Sequence, residues 1–202
     1  MEPRLNVRKA EAADRERVAA AYDEASADEA VRAWLYGGLP LPPEMVTGYF
    51  AEFISRSIDE DEVWIAKAGD EVWGVAVWIE VHDVARFEAE ADELAAVAEE
   101  HDLPVLRRGV RALRMVAAAH PRRYPHLYLH SIAVDPRRRG RGAGAALLAE
   151  RLRLADEAGM PVYLEASTER SARLYERSGF TAEESRIAFP EDGPVLIPMW
   201  RR

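Results

Sequence analysis

A glycine-rich turn between a predicted strand and a predicted helix limits the possible folds of this chain more than any other feature. Residues 127–134 are mostly apolar, with β-branched residues near the end, and predict a strand. The chain continues as Asp-Pro-Arg-Arg-Arg-Gly-Arg-Gly-Ala-Gly. Residues 143–158 then place leucines on one helical face, and Gly159 ends that helix. A strand that passes through spaced glycines into a helix is typical of α/β proteins.

The same turn predicts a binding site for a pyrophosphate. Glycines let a backbone come close to a ligand, and the first N–H groups of a helix lack partners within it and attract negative charge. Arginine side chains add charge-assisted hydrogen bonds. The residues concerned are Arg137, Arg138, Arg139, Gly140, Arg141, Gly142, Ala143 and Gly144. On composition alone, a solvated basic turn remains the alternative.

A dinucleotide-binding Rossmann motif is a second alternative. Gly140-x-Gly142-x-x-Ala145 fits its glycine spacing, and Glu165 follows at the separation of a ribose-binding acid. Five residues, however, separate Val134 from Gly140, whereas the glycines of that motif directly follow the strand. About 60 residues remain after the turn, too few for a doubly wound sheet that begins there. Both observations argue against the Rossmann interpretation.

Length and composition predict one domain over residues 1–202. A chain of 202 residues suits a single core, and 49% hydrophobic with 31% charged residues is typical of soluble proteins. No apolar run approaches the roughly 20 residues of a membrane-spanning helix. The N-terminus is charged throughout and lacks the apolar stretch of a secretory signal, so we expect a cytoplasmic protein without membrane partners.

Charge and cysteine content exclude several functions. The net charge of -9 argues against general nucleic-acid binding. Because the chain has no cysteine, it has no disulfide framework, no thiolate metal site and no cysteine nucleophile. An acyl transfer would therefore proceed most simply without a covalent enzyme intermediate. His126 and His130 share a strand face but stand about 13 Å apart, too far for one metal ion. We predict no metal site.

The periodicity of the remaining chain predicts alternating helices and strands, with an irregular stretch over 37–43 and a helical insertion over about 83–120. We expect strands near residues 5–8, 63–66, 72–79, 127–134, 162–165, 180–188 and 194–200. We expect helices near residues 12–26, 45–53, 84–101, 104–117, 143–158 and 168–177. A two-strand hairpin is predicted around Gly69.

Two signatures resemble those of one enzyme family. The segment from Ser131 to Gly144 resembles the acetyl-CoA-binding motif of the GNAT N-acetyltransferases, Arg/Gln-x-x-Gly-x-Gly/Ala, which begins here at Arg139. Downstream, the segment from Thr168 to Phe180 is similar to the second family signature, Asn-x-x-Ala-x-x-Leu-Tyr-x-x-x-Gly-Phe. Thr168 replaces the usual asparagine, whose side chain often contacts the cofactor in the family, so the resemblance places Thr168 at the cofactor and also allows it to be a helix N-cap. The order and separation of both segments match the family.

This resemblance implies a fold and a reaction. The fold would be the α/β GNAT fold, a mixed, mostly antiparallel seven-stranded sheet flanked by helices, with a helical insertion between the third and fourth strands. The reaction would be acetyl transfer from acetyl-CoA to a primary amine of a small molecule. The ending Gly-Pro-Val-Leu-Ile-Pro-Met-Trp and the insertion are similar to the puromycin N-acetyltransferase-like group. Alternatives are a protein lysine or N-terminal acetyltransferase and a sensor that binds acyl-CoA without turnover.

The resemblance also assigns roles to residues at the cofactor. Backbone groups of Ile132, Ala133 and Val134 would hold the pantetheine arm, and a nearby N–H would face the oxyanion. Tyr175 would protonate the leaving thiolate, although a core tyrosine is the alternative. His130 is a candidate general base and His126 the second, because a neutral imidazole suits that task.

The acceptor pocket is predicted from aromatic residues and one carboxylate. Trp34, Tyr36, Tyr49 and Trp78 are candidate walls for a hydrophobic or cationic amine, with ordinary core packing as the alternative for each. Glu165 could order a water or the amine, or else pair with an arginine. No motif identifies the acceptor. We expect a monomer or a homodimer.

Overall fold

A computed structural model describes residues 4–37 and 43–202, with side chains from residue 48 onward in the second segment. The helices in these ranges are α1 (Arg15–Ser26), α2 (Ala30–Tyr36), α3 (Pro43–Glu60), α4 (Ala85–His101), α5 (Pro104–Ala119), α6 (Ala143–Glu157) and α7 (Glu169–Arg177). The strands are β1 (Asn6–Lys9), β2 (Glu62–Ala68), β3 (Glu71–Val81), β4 (His126–Val134), β5 (Val162–Ala166), β6 (Thr181–Ala182), β7 (Ile187–Ala188) and β8 (Val195–Arg201).

The strands form one mixed sheet in the order β1-β2-β3-β4-β5-β8-β6, and β7 also pairs with β8. Among the described pairs only β4 and β5 run parallel; the others are antiparallel. The predicted mixed, mostly antiparallel α/β fold is confirmed, and the Rossmann interpretation is wrong because that fold needs a largely parallel sheet.

The sheet has eight strands in the described residues, rather than the predicted seven. The difference lies in the segment 180–188, which the sequence predicts as one strand. It forms two separate two-residue strands, β6 and β7, and both pair with β8 at different positions. The intervening residues make no ladder, so apolar content alone overstated the length of this strand.

Apolar side chains cover both faces of the sheet. Leucines of α6, with Ala172 and Tyr175 of α7, pack on one face, and α1 and α3 pack on the other. Helices α4 and α5 lie between the third and fourth strands, where the sequence predicts a helical insertion. Phe87 of α4 and Ala117 of α5 pack against Tyr128, Tyr163 and Trp200 near the start of β4. No helix in the described ranges is both long and apolar enough to span a membrane.

Helix α2 was not predicted from the sequence. It has only seven residues, and tertiary contacts stabilise it. Glu29 caps its N-terminus by accepting from the Arg32 backbone N–H at 2.9 Å. Arg32 also donates to the Asp23 carboxylate of α1 at 2.6 Å. The irregular stretch predicted for residues 37–43 lies largely outside the described residues.

A buried carboxylate fixes α1 against the edge of the sheet. Asp14 precedes α1 and accepts two hydrogen bonds from the Arg8 guanidinium of β1, at 2.7 and 2.9 Å. It also accepts from the Glu11 backbone N–H at 2.9 Å. These hydrogen bonds, led by that of Arg8, hold the pKa of Asp14 well below its usual range.

We expect Asp14→Asn to lower the free energy of unfolding by about 1–2 kcal/mol, because it weakens charge-assisted hydrogen bonds of a buried group that has a half-exposed arginine partner. The pKa of Asp14 is lower when folded, so its contribution is present above the unfolded pKa and disappears as the pH falls toward the folded value. Urea unfolding of both proteins across acidic pH measures this. A difference that stayed constant with pH would contradict it.

Candidate active site

The ladder between β4 and β5 ends early, and the gap between the two unpaired strand edges is called the cleft. The two strands pair only at Leu127 with Val162 and Tyr128 with Tyr163. Beyond these pairs β4 remains bonded to β3 alone and β5 to β8 alone, up to Val134 and Ala166 respectively. Because parallel strands otherwise continue their ladder, the separated edge of β4 keeps backbone N–H and C=O groups that face the cleft.

A β-bulge at His130 determines which backbone groups of β4 face the cleft. Leu129 pairs with Trp78 and Ser131 with Val77, so His130 is the extra residue. Asp135 donates its backbone N–H to Trp73 of β3 at 2.9 Å. By alternation, the backbones of residues 133 and 131 also face β3, whereas those of 132 and 134 face the cleft.

Because of this alternation, the three residues that the resemblance assigns to the pantetheine arm do not all face the cleft. Ile132 and Val134 present backbone groups to the cleft, as the resemblance implies. Ala133 instead pairs with Val75 of β3, and its side chain is buried in the α1 face. Its expected backbone role is therefore not supported. The Val134 carbonyl already accepts from Arg139 Nε at 3.1 Å.

The glycine turn is exposed at the open end of the cleft. Gly140 and Gly142 have positive φ values of 77° and 87°, which L-residues rarely adopt. A Cβ placed on either would meet no atom within 4 Å, so open space lies above the turn. Gly142 also caps α6, whose first N–H groups, those of residues 143–145, lack intrahelical acceptors. This geometry fits an anionic group such as a pyrophosphate.

The arginines of this turn are largely paired with carboxylates. Arg137 contacts Asp135 and Glu24, and Arg138 contacts Glu71. A phosphate that binds Arg137 or Arg138 would therefore have to compete with these carboxylates. In the described residues Arg141 makes no ion pair, and it is exposed.

Arg139 is held by the connector between α1 and α2. Its guanidinium donates to both carboxylate oxygens of Asp28, at 2.5 and 2.6 Å, and to the Ala25 carbonyl at 3.3 Å. Hydrogen bonding to Arg139 lowers the pKa of Asp28, so the pair is fully ionised at neutral pH. A phosphate that binds Arg139 must compete with Asp28.

The second signature forms α7 beside β5. Tyr175 lies on its buried face and packs edge-on against Phe180, with ring centroids 5.9 Å apart. Burial raises the pKa of Tyr175, so its hydroxyl stays protonated. Thr168 is the N-cap of α7 and accepts from the Ser171 backbone N–H at 3.0 Å. Its hydroxyl therefore serves the helix, as N-capping residues do.

His130 is directed to the α1 side of the sheet by the bulge. Its ring lies 5.4 Å from that of Phe53 and 5.6 Å from that of Tyr128. Burial lowers the pKa of His130, so the ring is neutral at pH 7. Its buried Nδ1 has no hydrogen-bond partner in the described part of the chain. The ring can therefore still accept a proton.

His126 cannot contact a substrate. It is 0% exposed, and both ring nitrogens are occupied. Its Nδ1 lies 2.7 Å from the Arg123 carbonyl, and its Nε2 lies 3.0 Å from Nε2 of His120. The expectation that His126 is an alternative base in direct contact with the amine is therefore corrected to a structural position.

Glu165 was expected either to order a water or the amine or to pair with an arginine, and the structure places it differently. Its side chain is only 4% exposed and faces His120. Its Oε2 accepts from the Tyr128 hydroxyl at 2.7 Å, so a phenol rather than an arginine is its partner. Direct substrate contact is not supported. Burial raises the pKa of Glu165 to about 7, although the Tyr128 hydrogen bond opposes this.

Two of the predicted aromatic walls pack away from His130, Trp78 in the core and Trp34 partly buried against another cluster. Trp78 is fully buried in the cluster beneath α6, on the opposite face of the sheet from His130. Trp34 donates its indole N–H to the Pro190 carbonyl at 3.1 Å and packs on Phe189 with ring centroids 5.0 Å apart. Trp78 therefore cannot line an acceptor pocket beside His130, and the ring that Trp34 packs on is that of Phe189.

Tyr36 lies on the same face as His130. It packs at the border of the cluster formed by α1 and α3. Phe53 of this cluster contacts both Tyr22 and His130, with ring centroids 5.6 and 5.4 Å apart. Tyr49 is exposed and packs edge-on against Phe50. The aromatic rings that adjoin His130 are those of Phe53 and Tyr128, and the pocket predicted from Tyr36 and Tyr49 stays a prediction.

Sequence reasoning missed Asp28, His120 and Tyr128. Asp28 lies 111 residues from Arg139 and belongs to no motif. His120 carries no local signal beyond being a histidine at the end of a predicted helix. Within the described residues, no group of three or more metal-ligating side chains is arranged to hold a metal ion.

Structural comparisons identify neighbours over the whole fold. A histone acetyltransferase HPA2-related acetyltransferase from Corynebacterium glutamicum is 24% identical, with TM-score 0.68 and coverage of 100% of this chain and 96% of the other. The polyamine N-acetyltransferase of Drosophila melanogaster is 20% identical, with TM-score 0.72 and coverage of 98% and 99%. Arylalkylamine N-acetyltransferase 2 of Aedes aegypti is 14% identical, with TM-score 0.71 and coverage of 98% of each chain.

These identities establish the shared fold, and a sequence comparison establishes the family. Residues 28–180 match the sequence model of the acetyltransferase (GNAT) family. The match includes the cleft, the glycine turn and α7, and it covers well over half of the chain. The chain therefore belongs to the GNAT acetyltransferase family, and as an N-acetyltransferase it takes its acetyl group from acetyl-CoA.

Proposed function

We propose that this protein transfers the acetyl group directly from acetyl-CoA to a primary amine of a small molecule. The observation that carries the proposal is the cleft between β4 and β5. It has an exposed glycine turn at one end and a neutral histidine, His130, on the bulged strand. A thioester donor and an amine acceptor could meet there from opposite sides of β4.

The donor would bind along the free edge of β4. Backbone groups of Ile132 and Val134 would hydrogen-bond the pantetheine arm, and the N–H groups at the start of α6 would receive the pyrophosphate. A backbone N–H near the bulge would stabilise the oxyanion, because fixed donors stabilise charge that develops in the transition state. Tyr175 would protonate the leaving thiolate from the α7 side.

The acceptor would bind on the α1 side, where His130 would take a proton from the amine. The surroundings of His130 support a cationic or aromatic amine. Phe53 packs on the ring, and the charges of Glu90 and Asp61 favour its protonated form, whereas Arg86 opposes it. The structural neighbours that act on polyamines and arylalkylamines are consistent with this class. Because the chain has no cysteine, transfer without a cysteine-bound acyl intermediate is the simplest path.

A protein acceptor is the second candidate, since one neighbour is described as related to a histone acetyltransferase. A CoA-binding protein without turnover is the third. The likeness to the puromycin N-acetyltransferase-like group, the cytoplasmic location and the choice between monomer and homodimer stay predictions.

A thiol-release assay over a panel of amines tests the proposal. The panel contains polyamines, arylalkylamines, aminoglycosides, aminonucleosides and lysine-bearing peptides, each with acetyl-CoA. We expect coenzyme A release with at least one small amine, and mass spectrometry should show the acetylated product. Turnover with peptides alone would favour a protein acceptor. Binding of acetyl-CoA without any release would reject the enzymatic proposal.

Gly142→Asp should abolish measurable binding of coenzyme A. The variant adds a negative charge at the pyrophosphate site and forces a side chain onto a backbone with φ of 87°. Gly142→Ala is the matched control, since it carries only the backbone strain, about 1–2 kcal/mol. Calorimetric titration measures both. Equal affinities for the two variants would argue against anion binding at this turn.

Asp28→Asn should tighten coenzyme A binding by up to about fivefold, because an exposed ion pair contributes about 0.2–1 kcal/mol that would no longer compete for Arg139. Asp92→Asn is the control: it removes the same charge from a remote surface pair with Arg114. Calorimetry at low salt compares the three proteins. Unchanged affinity in Asp28→Asn would exclude competition between Asp28 and the cofactor.

Tyr175→Phe should lower kcat by about a hundredfold and leave coenzyme A affinity within twofold, since only the proton donor is lost. Tyr124→Phe, which removes a half-exposed hydroxyl elsewhere, is the control and should keep full activity. Steady-state thiol release gives kcat, and calorimetry gives the affinity. Undiminished turnover in Tyr175→Phe would remove its role as acid.

A further inference from the structure

Hydrogen bonds fix the protons of two buried histidines near the start of β4. The Arg123 carbonyl can only accept, so His126 Nδ1, which lies 2.7 Å away, carries a proton. Burial lowers the pKa of His126, so its ring is neutral and its Nε2 is an acceptor. His120 Nε2, 3.0 Å from that acceptor, must therefore be the donor. Nδ1 of a neutral His120 is then an acceptor as well.

This chain of hydrogen bonds ends in two acceptors that face each other. Nδ1 of His120 lies 3.9 Å from Oε1 of Glu165. Both atoms are buried, and neither has a hydrogen-bond partner in the described residues. The buried hydroxyl of Tyr163, which also lacks a hydrogen-bond partner in the described residues, is the donor beside Glu165. A hydroxyl has one proton and can serve only one of the two acceptors, so the other stays unsatisfied at a cost of about 1–3 kcal/mol. One added proton satisfies both atoms, and a small side-chain movement brings them within hydrogen-bond distance.

The other carboxylate oxygen connects this pair to the proposed acceptor side. Oε2 of Glu165 accepts from the Tyr128 hydroxyl at 2.7 Å. The Tyr128 ring in turn lies edge-on to His130, with centroids 5.6 Å apart. Tyr128 and His130 sit on either side of Leu129 on the bulged strand. A change of charge on Glu165 therefore occurs one residue contact away from His130.

We propose that Glu165 and His120 share one exchangeable proton, and that Glu165 is a positioning residue through which this proton sets the charge beside Tyr128 and His130. The role of the pair in catalysis rests on the proposed acetyl transfer, whereas the proton site itself does not. When the proton leaves, the carboxylate places a negative charge beneath the acceptor side, which favours a protonated His130 and a cationic amine.

The charged and titratable groups around the pair come from every element packed against it. Tyr163 of β5 and Tyr128 and His126 of β4 surround it in the sheet. Helix α4 contributes Glu90, whose charge raises the pKa of Tyr128 and opposes the lowering of the pKa of His130. Asp61 raises and Arg86 lowers the pKa of His130.

Burial assigns the shared proton to the carboxyl group near neutral pH. It raises the pKa of Glu165 to about 7, and it lowers the pKa of His120 to about 3, to which repulsion from His126 and His130 contributes once acid protonates them. Glu165 is thus protonated below about pH 7 and ionised above it. The site changes charge within the range in which an amine acetyltransferase operates.

A titration of the whole protein tests the proton site without any substrate. Protein labelled with carboxyl-¹³C glutamate is followed by NMR from acid to alkaline pH. The resonance that Glu165→Gln removes belongs to Glu165, and Tyr128→Phe, which removes its hydrogen bond, assigns it if the first variant does not fold. We expect this resonance to titrate near pH 7. Titration near the ordinary glutamate value of about 4.3 would overturn the inference.

Kinetics test the positioning role. Glutamine keeps the acceptor for Tyr128 and donates its amide N–H toward His120, so Glu165→Gln imitates the protonated state at every pH. At about pH 6 the variant and wild type should have similar kcat/KM. At about pH 8 wild type should exceed the variant severalfold, because only wild type then carries a negative charge at residue 165 that strengthens His130 as a base. Tyr124→Phe, whose ring stacks on His126, is the control and should follow wild type.

The outcomes separate this inference from the proposed function. An equal loss of kcat/KM at both pH values would show that Glu165 only supports the fold, which contradicts the positioning role. If the Glu165 resonance titrates near pH 7 in a protein that acetylates no amine, the proton site is supported and the proposed function is rejected.

Discussion

Hydrogen bonding between β4 and β5 ends after two residue pairs, and the site depends on that separation. Had the ladder continued, the backbone groups of Ile132 and Val134 would be paired within the sheet and could not receive a ligand. The bulge at His130 adds a second effect, because it reverses the alternation of β4 beyond this residue. As a result, the backbone groups of Ile132 and Val134 face the cleft, while the side chain of His130 lies on the α1 side of the same strand.

Polar contacts connect both ends of the cleft to elements that are distant in the sequence. Arg139 of the turn is bonded to Asp28, which precedes the helix that carries Tyr36. Glu165 joins the end of β5 to Tyr128 of β4 and to His120 after α5. Buried polar atoms without partners are rare in folded proteins, and the facing atoms of Glu165 and His120 are the reason for proposing a shared proton between them.

Much of the fold followed from local patterns. The hairpin of β2 and β3, the helices of the insertion, the turn into α6 and the N-cap of α7 depend on neighbouring residues, so periodicity and capping residues predicted them. Helix α2 and the division of residues 180–188 into two strands did not follow, because contacts with distant elements determine them. The same reason explains why Trp78 was predicted in the pocket but lies in the core, and why Trp34 packs on Phe189 instead.

By itself the sequence determined the family, the glycine turn and the chemical groups available at the site, because these are properties of short segments with fixed spacing. Only the tertiary structure decided which groups are free and which are occupied. Arg139 and Asp28 are 111 residues apart, and Tyr128 and Glu165 are 37 residues apart. The proton affinity of a buried side chain depends on partners brought together by the sheet and its helices, and no local pattern encodes them.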